Sequence, residues 1–385
     1  MVDRVSFGGE IFAGQKIVTK MEQYVALPGD LVISKIRARQ GSIGLVEPSH
    51  GTVSVSIHYR AVTPNTELLD PVYAWLALRS SFCRAQFLAA TGGAMKGEIS
   101  EASLLQIEIP LPPLAVQKAI VLRWQEAQTE IAAARARVEK RKAEIDTRFF
   151  ADLDLKSPAQ VFLPKAFAVW WRDTEKWGVQ QILQFALRAK DKSKYTEFSL
   201  SDLCNIGSGG TPSRRIKNYF GGAIPWVKTT EVVNGEITTT EETLTDDGLK
   251  NSSAKLYPKG SLLVAMYGQG ATRGRTAKLG IDAATNQACA VLFNIKPEIE
   301  TDFLWYFLIS QYDAMRALAS GNNQPNLNAE MIANLKIPLP SLSVQREIVA
   351  RVALGRAEIA REREAAASLA VKIESEIEAR ILGIK

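Results

Sequence analysis

The stretch IPLPPLAVQKAIVLR occupies residues 109–123, and a near twin, IPLPSLSVQREIVAR, occupies 337–351. Ten of the fifteen positions are identical, and the copies stand 337 − 109 = 228 residues apart. That spacing is too wide for a solenoid unit, so the repeat divides the chain into two large halves. Each half runs through a mixed segment, a proline-bounded strand-like end and a long helix. The prolines at 110, 112 and 113 block an earlier helix and suit a helix entrance. From Leu114 to about Phe150 neither Pro nor Gly occurs. Trp124, Ile131, Val138 and Ile145 fall seven apart, with Ile120, Ala127 and Ala134 between them. Val352, Ile359, Ala366 and Ile373 repeat the spacing in the second copy, interleaved with Ile348, Gly355, Glu362 and Leu369. A heptad sustained in this way is the pattern of a coiled-coil seam, and two matched seams predict an antiparallel helix pair. At 1.5 Å rise per residue, each helix is a rod of roughly 50 Å.

The segments ahead of the helices read as mixed domains. AIPWVKTTEVVNGEI, KGSLLVAMYG and ACAVLFNIK are strand-like runs bounded by Gly, Pro and Asn, and FLWYFLISQYDAMRALA is an amphipathic helix. GDLVISKIRA, GSIGLV and PVYAWLALRSSFCRAQFLAA answer to the same parts in the first half. Pro28 aligns with Pro258 and Trp75 with Trp305 at a shift of 230. At that shift Gly235 meets Val5, so the first copy is expected to lack the equivalent of roughly residues 196–234. Either the first domain is a shorter variant or the chain begins part-way through a domain. The expected fold is α+β: two mixed, strand-rich domains joined by a pair of long antiparallel coiled-coil helices. The expected boundaries are a first domain at 1–108, a first helix at 109–150, a connecting segment at 151–195, a second domain at 196–336 and a second helix at 337–385.

Composition narrows the function. The 385 residues are 46% hydrophobic, with net charge +6. No apolar run reaches the ~18 residues a membrane span needs, and the start lacks a signal-peptide core, so a cytoplasmic protein is expected. Cys83, Cys204 and Cys289 are far apart, and only His50 and His58 could join them, which argues against zinc. There is no phosphate-cradling G-x-x-x-x-G-K-[ST] and no strand-then-GxGxxG-then-helix unit. The tetrapeptide [DNS]-P-P-[YF] of an amino-methyltransferase is also absent. Neither His suggests catalysis. The tryptophans of the connecting segment (Trp170, Trp171 and Trp177) read as packing residues.

Basic and hydrogen-bonding residues cluster in the Gly-rich loops. The second domain offers Thr211, Ser213, Arg214, Arg215 and Lys217, then Lys228, Thr229 and Thr230. Tyr267, Gln269, Thr272, Arg273, Arg275 and Thr276 follow, and GNNQPN adds Asn322, Asn323 and Gln324. The first domain offers Lys35, Arg37, Arg39, Gln40 and Ser42. Arg, Gln and Asn pair with guanine or adenine edges, and Lys, Ser and Thr suit phosphate. Glycines let a backbone come close to a ligand. Each of these residues could equally be part of a solvated loop; as clusters they point to nucleic acid.

The chain resembles the specificity (S) subunits of type I restriction-modification systems. The resemblance rests on the paired IPLP-x-L-x-VQ motifs, each leading into a heptad helix. It rests also on GSGGTPSRR and YFGGAIPWVKTTEV within 207–232, LPGDLVISKIRARQGSIGLV at 27–46 and NNQPNL at 322–327. It covers nearly the whole chain. It implies that each mixed domain is a target recognition domain reading one half of a bipartite double-stranded DNA target. The helices would then be the spacer between half-sites. It also implies no catalytic activity and no cofactor in this chain. Two adenine-N6 methyltransferase (modification) subunits would supply S-adenosylmethionine chemistry, and restriction subunits could join them. Family members usually begin with a complete first recognition domain. The expected gap therefore leaves open whether the first domain reads sequence, or is completed by another chain. Two rivals stand beside this reading: a nuclease with its own recognition domains, which would need a catalytic cluster, and a non-DNA coiled-coil scaffold or adaptor, which would leave the loop clusters without a purpose.

Overall fold

The computed structural model describes residues 1–14, 23–91, 97–155, 193–268, 271–319 and 326–384. In the first domain, β4 (Leu31–Ser34) lies between β5 (Ile43–Leu45) and β7 (Tyr59–Val62) in an antiparallel sheet. β3 (Gln23–Ala26) pairs with β6 (Val53–Ser56), and β1 (Val2–Val5) with β2 (Ile11–Ala13). Helices α1 (Pro71–Leu78) and α2 (Ser81–Ala90) follow, and then the long helix α3 (Leu114–Asp152). Asp70 caps α1 by accepting from the Val72 and Tyr73 amides, with Pro71 at the first helical position, where a missing N–H costs nothing.

The second domain repeats the plan and adds to it. β14 (Leu262–Ala265) lies between β15 (Thr276–Leu279) and β17 (Cys289–Phe293), like β4 between its neighbours. β17 is covered in turn by β9 (Asn205–Ser208), and β11 (Glu236–Ile237) extends the other side of the sheet. A second sheet runs β12 (Glu242–Leu244), β10 (Phe220–Val227), β16 (Ala283–Thr285) and β13 (Leu256–Tyr257). β8 (Glu197–Ser199) pairs with β18 (Lys336–Pro338), the strand that leads into the repeated sentence. α4 (Thr301–Ser310) answers to α1, and α5 (Leu342–Leu382) is the second long helix.

Two α+β domains and two long helices are thus the architecture. The chain divides into two compact units, Met1–Val138 with Arg361–Lys385, and Glu139–Ala360. Each unit holds a stretch of both long helices, and in each the two stretches are antiparallel. In unit 1, Arg123 grips Glu376 through two bonds of 3.0 Å, and Arg137 pairs with Glu362. In unit 2, Arg141 reaches Glu358 at 2.7 Å, and Arg351 pairs with Asp152. As the number rises on α3 it falls on α5. Ile120, Ala127, Ile131, Ala134 and Val138 are buried in unit 1, as are Ile373, Ile377 and Ile381. In unit 2 a Cβ on Gly355 would fall 2.7 Å from Ile145 Cδ1, so the glycine lets the backbones approach.

The repeated VQ has a physical purpose. Gln117 is fully buried; its Nε2 donates to the carbonyls of Leu68 (2.9 Å) and Pro112 (2.8 Å), and its Oε1 accepts from the Asp70 amide at 2.9 Å. Gln345, also fully buried, donates to Glu298 (3.0 Å) and Pro340 (2.8 Å) and accepts from the Glu300 amide at 2.8 Å. A carboxamide, with two donors and an acceptor, can close this set of backbone groups beside a proline turn. Each domain is thereby tied, at the entrance of α1 or α4, to the start of its own long helix.

The tryptophans are also matched. Trp75 Nε1 donates to the Ile43 carbonyl at 2.8 Å, and Trp305 Nε1 to the Thr276 hydroxyl at 3.1 Å. The periphery is not matched. Among the described residues, β7 pairs with β4 alone and β6 with β3 alone, while β17 and β16 each carry an outer strand. Leu27 is 53% exposed, whereas its counterpart Tyr257 is 3% exposed and donates its hydroxyl to Ser208 in β9. Val62 is 38% exposed against 0% for Leu292.

Candidate nucleic-acid interface

The GSGGTP loop is placed by its glycines, though not for the reason the sequence suggests. A Cβ on Gly209 would fall 2.0 Å from the Thr285 carbonyl oxygen, and one on Gly210 would fall 2.3 Å from the Ala254 nitrogen. The glycines let this loop lie against the protein's own backbone, where the Gly210 amide donates to Thr285 at 2.8 Å. Trp226 adds a bond from its indole to the Gly210 carbonyl at 3.1 Å. Thr211 then bonds to Gln287, and the buried Thr229 to Asn286 at 3.0 Å. The loops carrying 211–217, 228–230 and 286–287 therefore converge on one face of the second domain.

That face is cationic, but two of its cations are held by carboxylates. Arg214 forms a two-pronged bond to Glu242 (2.5 and 3.2 Å) and lies over the rings of Phe220 and Trp226. Lys228 Nζ reaches Glu241 at 2.6 Å and Glu242 at 3.2 Å. Glu231 braces both strands of the network, accepting from the amides of Lys228 (2.7 Å) and Glu241 (3.0 Å). The Arg214 guanidinium, with help from Lys228, holds the Glu242 carboxyl below its ordinary pKa, and Glu241 with Glu242 raises the Lys228 ammonium. Ser213, Arg215, Lys217 and Thr230 are exposed; among the described residues, neither Arg215 nor Lys217 makes an ion pair.

A second cluster sits in the loop between β14 and β15. Tyr267 is exposed, and Thr272 closes against Gly268. Arg273 and Arg275 are half-buried. Tyr312 donates to the Ala271 carbonyl at 2.8 Å and Arg316 to the Arg273 carbonyl at 3.3 Å, so the following helix props the loop. Thr276 is buried and accepts from Trp305. Gln269, Asn322, Asn323 and Gln324 lie outside the described residues, as do Trp170, Trp171 and Trp177.

In the first domain Arg37 and Gln40 are exposed, Lys35 lies 4.0 Å from Glu98, and Arg39 is half-buried. Ser42 is buried, and its hydroxyl donates to the Val5 carbonyl at 2.7 Å. It pins the hairpin of β1 and β2 rather than facing solvent. Burial pushes the Cys204 thiol up to about 12 and the Cys289 thiol up to about 11, so neither is a nucleophile near neutral pH. Among the described residues no group of His, Cys, Asp or Glu could hold a metal, and no helix is long and apolar enough to cross a membrane.

Against known proteins, the model of the type I restriction modification DNA specificity domain matches residues 8–133 and 192–357. The chain belongs to that family. The second matched segment takes in the second mixed domain, the first takes in the first domain from β2 onward, and each reaches into the start of a long helix. Among its relatives is the type I restriction enzyme MjaIX specificity subunit of Methanocaldococcus jannaschii, 29% identical over 39% of this chain and 35% of its own length. The EcoR124I/EcoR124II specificity subunit of Escherichia coli is 24% identical over 74% of this chain and 62% of its own length. The chain thus spans from about a third to under two thirds of the length of these relatives. A solved chain described as showing complex assembly and conformational transition of the type I R-M system shares the fold, with TM-score 0.60 and 19% identity. That match covers 97% of this chain and 86% of the other.

Within this specificity-domain fold, several residues of the cationic face escape sequence reasoning. Glu241 and Glu242 sit in TTTEETL, which reads as a solvated turn, and nothing local indicates that they meet Arg214 and Lys228. Asn286 and Gln287 carry a weak signal as polar residues between two apolar strands.

Proposed function

We propose that this chain is the non-catalytic DNA-recognition subunit of a type I restriction-modification assembly, reading a bipartite double-stranded target. The observation that carries the reading is the doubled glutamine anchor. Two separate mixed domains are each tied by an equivalent buried Gln to one of two long helices with antiparallel stretches. Two reading heads, each on its own helix, suit a target in two parts, with the helices setting the gap. Methyltransferase subunits would bring S-adenosylmethionine and flip the target adenine from the duplex. Restriction subunits would add cleavage.

In the second domain, Arg215 and Lys217 are the side chains best suited to phosphate, and Tyr267 and Thr230 are exposed in the same loop clusters. Arg214 and Lys228 would have to exchange Glu241 and Glu242 for phosphate oxygens. In the first domain Arg37 and Gln40 are the candidates. A second reading gives sequence discrimination to the second domain alone, and it is favoured by the sparser set of exposed cations among the described residues of the first domain.

The test is genome-wide mapping of N6-methyladenine in cells carrying the chain with its methyltransferase, and in cells lacking the chain. A split motif that vanishes with the chain is the expected result. A motif with one defined half would favour the second reading. Absence of chain-dependent methylation, with an active methyltransferase present, would refute both.

A further inference from the structure

Unit 1 contains a cavity of about 470 Å3 between the α1–α2 junction and the two long helices. In unit 2 the equivalent positions are packed. There Arg356 lies over Trp305 and Tyr306 (5.4 and 5.5 Å) and donates to the Asn234 carbonyl at 2.7 Å, while Phe150 is buried. At the shifts of 228 and 230, Arg356 becomes the shorter Gln128 and Phe150 becomes Glu378. Ile309 becomes Arg79, and Ala314 becomes Arg84. The hollow is therefore not demanded by the duplicated fold. It arises where filling side chains are replaced by short or charged ones.

We propose that this cavity binds a phosphate-bearing small molecule through Arg79, Arg84 and Arg135. Arg79 lies over the Trp75 ring at 4.5 Å, and its Nε is buried without a hydrogen-bond partner. A buried donor left unmatched is rare in folded proteins and calls for an acceptor. Burial first, then the like charge of Arg84, pulls the Arg79 guanidinium below its ordinary pKa, while Glu374 pulls the other way. Among the described residues, Arg84 and Arg135 make no ion pair, and both line the hollow. Three guanidiniums in one cavity, two of them repelling each other, are relieved by an oxyanion that accepts from their forked donors.

The carboxylates limit the ligand. Glu378 accepts from the Ser81 amide at 2.6 Å and so caps α2. Glu374 offsets Arg79, and Glu10 also faces the hollow. Three carboxylates balance the three guanidiniums in number, so the lining has no surplus for a polyphosphate and suits one phosphate group held by the forked donors. The volume lies in the usual range for small-ligand pockets, roughly 300–1,000 Å3, and leaves room for a nucleoside-sized remainder.

Calorimetric titration of the full chain with inorganic phosphate and with adenosine monophosphate tests the assignment. Saturable binding of both, in competition, is expected. Arg84→Ala and Arg135→Ala should each weaken it roughly tenfold, the loss of one charge-assisted contact, and Lys372→Ala on the exposed side of α5 should leave it unchanged. Arg135 is an exposed helix residue, so its alanine variant folds and keeps the test decisive even if Arg84→Ala does not. Failure of either probe to saturate overturns the proposal. So does binding that survives Arg135→Ala, or binding that Lys372→Ala weakens equally, which would mean diffuse surface charge.

Discussion

The two domains hang from their helices by the same device but finish their sheets differently. Gln117 and Gln345 make three equivalent bonds each, and Trp75 and Trp305 fill equivalent places. In the second domain β8, β9 and β10 cover the edges of β18, β17 and β16; among the described residues the first domain has no strand in those places. Leu111 in the first IPLP is 57% exposed, while its counterpart Leu339 packs on the core and donates its amide to Thr196 at 3.0 Å. What is duplicated is the attachment, and what differs is the periphery. A framework of this kind can hold two dissimilar domain peripheries in one scheme, because the joint does not depend on the strands beyond it.

The largest expected effect is on the covered edge. Gly209→Ala would drive a methyl into the Thr285 backbone, which cannot swing away as a side chain could. It should cost the second domain about 3 kcal/mol or more. Gly235→Ala, with open space around its Cβ, should change stability by less than about 0.5 kcal/mol. Urea unfolding followed by tryptophan fluorescence measures both. Equal effects would mean that the loop following β9 is not held against β16 by this contact.

The anchors come next. Gln117→Leu and Gln345→Leu each leave a backbone amide and two carbonyls without their partner in a buried setting. Each should cost its own unit about 2 kcal/mol. Near-equal losses support one joint used twice. A large loss at Gln345 with none at Gln117 would break the equivalence, and would place the burden of the first domain's attachment on α1 and Trp75 instead.

Much of this was legible in the sequence. The proline entrance, the heptads and the 228-residue repeat indicate two helices and two mixed domains. The role of Gln117 was not, because a glutamine among apolar residues declares its partners only when the chain folds back on Leu68 and Asp70. Ser42 and Thr229 read as ligand-facing residues for the same reason, yet both are buried in backbone and side-chain bonds. The glycines at 209 and 210 were readable as places of close approach, but not as an approach to Thr285 and Ala254. Long-range partners are what one-dimensional spacing lacks.

A smaller effect should distinguish the two tryptophan sites. Arg356→Ala removes a cation from the Trp305 ring and a bond to Asn234, and should destabilise unit 2 by about 1 kcal/mol. Gln128→Ala, the matching change in unit 1, should stay within about 0.5 kcal/mol, since no guanidinium reaches Trp75 from that position. Thermal melts of the two variants suffice. A large loss from Gln128→Ala would show that the unit 1 hollow is held open by that residue.

The smallest effect should come from the charge network on the second domain, which has no counterpart among the described residues of the first. Glu242 has a lowered pKa in the folded chain, with Arg214 as the leading cause. A carboxylate of that kind contributes stability above its ordinary value of 4.5, and the contribution is lost as pH falls through the lower folded value. Lys228 has a raised pKa, so its share is present below 10.5 and lost as pH rises through the higher folded value. Between those limits the network is intact. Below pH 4.5 the melting temperature of the wild-type chain should fall more steeply than that of Glu242→Gln, which has no carboxyl to protonate there. The difference should shrink in high salt, because these groups are solvent-accessible and screened. Parallel acid profiles at low salt would show that Arg214 is held by the Phe220 and Trp226 rings alone, and that Glu242 contributes nothing to the face.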